Sequence, residues 1–134
     1  MNIVEKIKKI KDLEITSNGR ASEEEIIRAE KRLNLKFSKE YKEYIKEFGA
    51  ISFFGNEWSG LNIDGYFNVV NMTEDERALN ESFPEKYFVV ENIGVDSIFI
   101  ISNEDGKIYS IQYDKIEFLC NSLSEYLDIC LKRN

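Results

Sequence analysis

At Gly49 the apolar spacing of this chain changes from that of helices to that of strands, and at Ser122 the chain closes on a helical stripe again. Before Gly49, apolar residues recur every three or four positions. After it they fall in short runs between Gly and Asn turns. A helix carries one apolar stripe and a sheet one apolar face, so the two parts must cover each other. Helices first, strands next and a closing helix is the order of an α+β fold; a parallel sheet would need alternating βαβ units. The expectation is a mostly antiparallel sheet of about six strands, packed with N-terminal helices and a C-terminal helix, in a single domain over 1–134. A chain of 134 residues buries roughly two thirds of its unfolded surface and needs no metal or disulfide to fold.

Ile3, Val4, Ile7, Ile10 and Leu13 mark a first amphipathic helix, ending before Thr16-Ser17-Asn18-Gly19. Its lysines would suit a membrane surface, but such a stripe more often packs on its own domain. Ser22 and Glu25 have the spacing of a capping box, and the helix they open runs to about Asn34. Ser38 caps a third helix, Phe37 can staple its first turn, and Gly49 stops it. Strands are expected at 51–54, 58–63, 66–70, 87–91, 97–102 and 107–113, with a further one at 115–119. Thr73 and Glu76 predict a short acidic helix ending before Pro84. Ile98 to Ile101 is apolar on both faces, which suits a central strand. Tyr109, Ile111 and Tyr113 should share one face of the next strand. Ser122 and Glu125 cap the closing helix, whose stripe is Leu123, Tyr126, Leu127, Cys130 and Leu131.

The chain has no histidine, and its two cysteines, Cys120 and Cys130, lack CxxC spacing. That excludes ordinary zinc sites, Cys-His nucleophiles and Ser-His-Asp triads. The glycines match neither phosphate-binding spacing, and no calcium loop is present. No cofactor or metal is expected. Carboxylate pairs among Glu57, Asp64, Glu91, Asp96, Asp105 and Asp114 are the remaining catalytic equipment, but so short a chain has little material for a cleft around them. A non-enzyme is therefore expected. No apolar run reaches the ~18 to 20 residues of a membrane span. Residues 1–14 intersperse lysines where a signal peptide would be apolar, so a cytoplasmic location is expected.

Charge is unevenly distributed. Residues 1–50 hold 12 Lys and Arg against 10 Asp and Glu, whereas residues 51–134 hold 6 against 15. The second part repels nucleic acid and attracts a basic protein, although such surfaces also serve solubility alone.

Ser22-Glu23-Glu24-Glu25-Ile26, Leu33-Asn34-Leu35, Phe37-Ser38-Lys39-Glu40-Tyr41 and Phe48-Gly49 together carry a resemblance. The chain resembles the SUKH superfamily of Smi/Knr-like domains, with Asn92-Ile93-Gly94-Val95-Asp96 similar to its Gly-Asp segment. Asn34 replaces the usual Gly and Ser38 the usual Pro, and both suit their positions. The resemblance implies an α+β fold without shared catalytic residues. It implies an immunity protein, or antitoxin, that binds a cognate polymorphic toxin, here read as a nuclease (RNase or DNase). The alternative is a regulatory adaptor binding another cellular protein. The toxin would be a basic protein, with no direct nucleic acid or membrane contact, and the chain would be a monomer or weak homodimer. Candidate partner-binding residues are Glu57, Trp58, Asp64, Glu74, Asp75, Glu76, Asp96, Glu104 and Asp105, in or beside expected loops. Trp58 reads either as an interface anchor or as core.

Overall fold

The structure is a computed structural model and describes residues 1–133. The chain runs α1 (Ile3–Lys8), β1 (Glu14–Ile15), α2 (Glu23–Leu33), α3 (Lys39–Phe48), β2 (Ile51–Phe53), β3 (Asn56–Glu57), α4 (Val69–Leu79), β4 (Phe88–Asn92), β5 (Ile98–Ser102), β6 (Ile108–Gln112), β7 (Lys115–Cys120) and α5 (Leu123–Lys132). The fold is α+β, with every strand pair antiparallel. The strands form two sheets, β1-β2-β3 and β4-β5-β6-β7, in place of one sheet of about six. A bridge between Trp58 and Glu91 and the bond from Ser59 N–H to the Val90 carbonyl (2.8 Å) link the sheets.

Local chemistry sets the helix ends. Ser22 Oγ accepts from Glu25 N at 3.1 Å while Glu25 accepts from Ser22 N at 3.0 Å, so the capping box is complete. Asn34 closes α2 in the left-handed conformation at φ 53°. Ser38 caps α3 through Tyr41 N, and the Phe37 and Tyr41 rings meet 5.1 Å apart across its first turn. Ser122 caps α5, but Glu125 accepts from Asn121 N instead of closing a box on Ser122.

Four expectations need correction. The first helix stops at Lys8, and Asp12 takes φ 60°, freeing Glu14–Ile15 to pair with β2. Strand 51–54 ends at Phe53, because Phe54 turns the chain at φ 47°. Regular strand is absent from 58–63 and 66–70. Isolated bridges, Trp58–Glu91 and Gly60–Asn68, stand in their place, and Val69 and Val70 open α4, because the Asn68 side chain accepts from Val70 N and caps the helix. Thr73 is therefore inside the helix, where its hydroxyl accepts from Val89 N at 3.0 Å and fastens α4 to β4.

The four-stranded sheet is buried on both sides near its β4 edge. Phe88, Val90, Ile100 and Ile108 face α2, α3 and α5 in the main core. Val89, Ile101 and Ile111 face the other way and pack with Met72 of α4 and Phe83. The 98–101 run accordingly lies in an inner strand, β5. Among the described residues no helix is long and apolar enough to cross a membrane.

Candidate protein-binding face

Helix α4 covers only part of the outer face of the four-stranded sheet. Met72 and Thr73 are buried beneath it, but past its end the face lies open. Tyr87, Tyr109 and Phe118 form a row of edge-to-face rings with centroids 5.6 and 5.5 Å apart. Tyr109 pairs with Phe118, and Ile111 with Ile116, so the apolar stripe of β6 continues onto β7. Phe118 is 53% exposed and Ile116 42%.

Three segments meet at one end of this face. The Asn80 amide, just past α4, donates to the Tyr113 carbonyl at 2.8 Å. Gln112 Nε2 donates to the Asp96 carbonyl at 2.9 Å, and the Tyr113 hydroxyl to Ser97 Oγ at 3.3 Å. These bonds pin the 93–97 turn against the β6–β7 turn and leave Leu79, Val95 and Tyr113 exposed together. A groove of about 360 Å³ runs between them, lined by Glu76, Leu79, Asn80, Asn92, Gly94, Ser97, Phe99 and Tyr113. Of the carboxylates near this end, Glu76 lines the groove and Asp75 neighbours it on α4, while Asp96 belongs to the pinned turn and Asp114 follows Tyr113 in the β6–β7 turn. Partial burial first, then the neighbouring Asp75, push the Glu76 carboxyl above the usual range. An apolar centre with a charged rim is the anatomy of a protein interface.

The nine candidate residues do not share one surface. Glu76 and Asp96 flank the groove, and Asp75 stands exposed beside Glu76. Asp64 lies at the margin, in the loop whose Tyr66 hydroxyl accepts from Asn92 at 2.7 Å. Glu74 is held by Arg32 in a two-pronged ion pair at 3.0 and 3.2 Å. Glu104 and Asp105 occupy the β5–β6 turn, where Glu104 faces Lys31, Lys36 and Lys86 across a separate depression. Glu57 is exposed on β3. Glu74, Asp75 and Glu76 lie on a helix, not in or beside a loop. Trp58 is 0% exposed, packed against Tyr44, Phe53 and Tyr126. In this fold it belongs to the core. Leu79, Val95, Ile116 and Phe118 were not singled out from the sequence, and Tyr113 only as part of the β6 stripe. The alternation through Tyr109 and Ile111, continued across the turn, was the available signal.

Two buried polar clusters lie apart from this face. Tyr41 donates to Ser59 Oγ (2.7 Å), whose own proton goes to the Val89 carbonyl (2.7 Å), and Tyr44 donates to the Ser59 carbonyl (2.8 Å). Burial pushes both phenols up, so they remain donors and tie α3 to the strands. Glu91, 3% exposed, accepts from the Tyr126 hydroxyl at 2.5 Å, and Arg133 donates to that hydroxyl at 3.1 Å. Burial pushes the Glu91 carboxyl up against the pull of Tyr126 and Arg133. The Trp58 indole N–H also steadies Glu91 but falls outside hydrogen-bond geometry. No group of three or more acidic or cysteine side chains is arranged to hold a metal among the described residues.

A family model, SUKH_5, described as SMI1-KNR4 cell-wall, matches residues 1–132. No curated protein matches the chain.

Proposed function

The chain belongs to the SUKH_5 (SMI1-KNR4 cell-wall) family, and from that premise we propose that it is an immunity protein, or antitoxin, which neutralises a cognate toxin by covering it. The family is associated with immunity function. The toxin in this reading is a nuclease, an RNase or DNase, with a basic substrate groove. The observation that carries the reading is the groove at this end of the sheet, where the exposed Leu79 and Tyr113 stand with Glu76, and Asp75 lies beside Glu76. Carboxylates there would take the positions of substrate phosphates against toxin Arg and Lys. The apolar centre would set how long the complex lasts. The mechanism is occlusion, which asks no catalysis of this chain, and it would operate in the cytoplasm before the toxin reaches nucleic acid.

The test is co-expression with the protein encoded by the adjacent gene, scoring growth rescue and co-purification together. Rescue with a stable complex is the expected outcome. A folded chain that neither rescues nor binds would count against immunity to that protein and favour an adaptor role.

A further inference from the structure

The four-stranded sheet ends on a strand that is open along its length. β7 has six residues, and five of them are exposed. Among the described residues it pairs only with β6. Proteins usually blunt such an edge by shortening, twisting or charging it. The edge strands of the smaller sheet, β1 and β3, have two residues each and offer little template. β7 offers much more.

The register tells which backbone groups face outward. Two residues, Tyr113 and Asp114, separate the paired Gln112 and Lys115. In a two-residue hairpin the flanking pair exchanges both hydrogen bonds, and pairs alternate from there. Lys115 and Glu117 thus direct their N–H and C=O to β6, while Ile116 and Phe118 present theirs to whatever lies beyond the edge. The side chains alternate too. Ile116 and Phe118 extend the apolar outer face, and Lys115 and Glu117 stand on the opposite face, 3.0 Å apart.

We propose that β7 pairs antiparallel with β7 of a second copy of this chain about a two-fold axis at Ile116, joining two sheets into one of eight strands. Symmetry requires a residue to face itself on the axis. Placing Glu117 there would set two carboxylates against each other. Placing Ile116 there uses its outward N–H and C=O and sets Lys115 opposite the partner's Glu117, twice. The strand is thus charge-complementary to itself. Lys115 and Glu117 cancel, so this edge carries none of the preference for a basic partner that marks the rim around Tyr113. The apolar stripe would then run unbroken from Tyr109 and Phe118 of one copy to those of the other. A contact of one strand is small, so the dimer is weak and depends on concentration. The inference does not depend on the immunity reading.

The experiment is sedimentation of the full chain from about 10 µM to about 1 mM, with Lys115→Glu and Glu117→Lys studied separately and mixed. Each substitution turns two attractive cross-strand pairs into repulsive ones, weakening self-association by about tenfold or more. Mixed together, the two variants restore both pairs and should associate at least as well as the natural chain. Loss of the intrachain Lys115–Glu117 pair cannot produce that rescue. Circular dichroism of these exposed-site variants checks the fold. A natural chain that stays monomeric throughout overturns the proposal and leaves the edge to a strand from another protein. Variants that dimerise like the natural chain, or a mixture that stays monomeric, also overturn it.

Discussion

Trp58 lies where Tyr44 and Phe53 meet it edge-on and Tyr126 stacks 5.9 Å away. It therefore packs three elements, α3, β2 and α5, against the segment that links the two sheets. Trp58→Ala should cost about 3–5 kcal/mol, the usual range for emptying a buried aromatic site. Chemical denaturation measures it, and a loss below about 1 kcal/mol would mean the pocket collapses onto itself. Gly60, two residues on, is constrained by proximity. A Cβ there would overlap the Gly49 carbonyl oxygen and reach the Ala50 side chain at 2.7 Å. One obstacle is backbone and the other a Cβ fixed directly to it, so neither can rotate away, and Gly60→Ala should destabilise by about 1–3 kcal/mol or more. A thermal midpoint unchanged from the natural chain would show that the 60–61 backbone can move away.

Between β4 and α5, burial raises the Glu91 carboxyl. A carboxyl raised in the folded state holds its proton more tightly there than in the unfolded chain. Its contribution is fully present below the ordinary glutamate range and is lost as pH climbs through the raised value. Glu91→Gln keeps an acceptor for the Tyr126 hydroxyl and carries no charge. Its stability should match the natural chain in acid and exceed it increasingly across that window, read as urea midpoints from about pH 4 to about pH 8. Parallel curves would mean that Arg133 and Tyr126 compensate the buried charge fully. Helix α4 invites a different test. Glu74 is occupied by Arg32, so reversing all three of Glu74, Asp75 and Glu76 would mix a lost ion pair with a lost rim. Asp75→Lys combined with Asp96→Lys alters two exposed residues on separate segments and leaves that pair intact. In complex with the neighbouring gene's product it should weaken affinity by about tenfold or more while the melting temperature holds. Unchanged affinity would remove this end of the sheet from the site.

The molecule carries net charge −7, and Glu76 with its neighbour Asp75 stands at the groove. An encounter with a basic partner should accordingly be steered, with an association rate that falls steeply as salt is raised. Stopped-flow measurement at two ionic strengths reads this directly. A rate indifferent to salt would place the partner on the apolar face without help from the carboxylates. With the axis at Ile116, Asp114 would face the partner's Phe118, whereas Asp75, Glu76 and Asp96 belong to other segments, α4 and the 93–97 turn.

Capping and periodicity were legible because they act over three or four residues. Ser22 with Glu25, Asn34, Ser38, Gly49 and Ser122 could be assigned their positions from neighbours alone, and so could the α+β order and the inner placement of 98–101. Contacts between distant segments were not legible. Val69 and Val70 have the composition of a strand, yet the Asn68 cap and the buried Thr73–Val89 bond make them helix. Trp58 read equally as anchor or core until the aromatic rings of three elements closed around it. Glu74 looked available until Arg32, 42 residues away, took it. The open apolar end is assembled from α4, the 93–97 turn and the β6–β7 turn, and no window of sequence contains all three. The sequence by itself determined the helix caps, the α+β order and the inner strand at 98–101, since local hydrogen bonds and side-chain period suffice for those. Tertiary structure alone decided which acidic and apolar residues stand together at a surface, since burial is set by what the rest of the chain folds against.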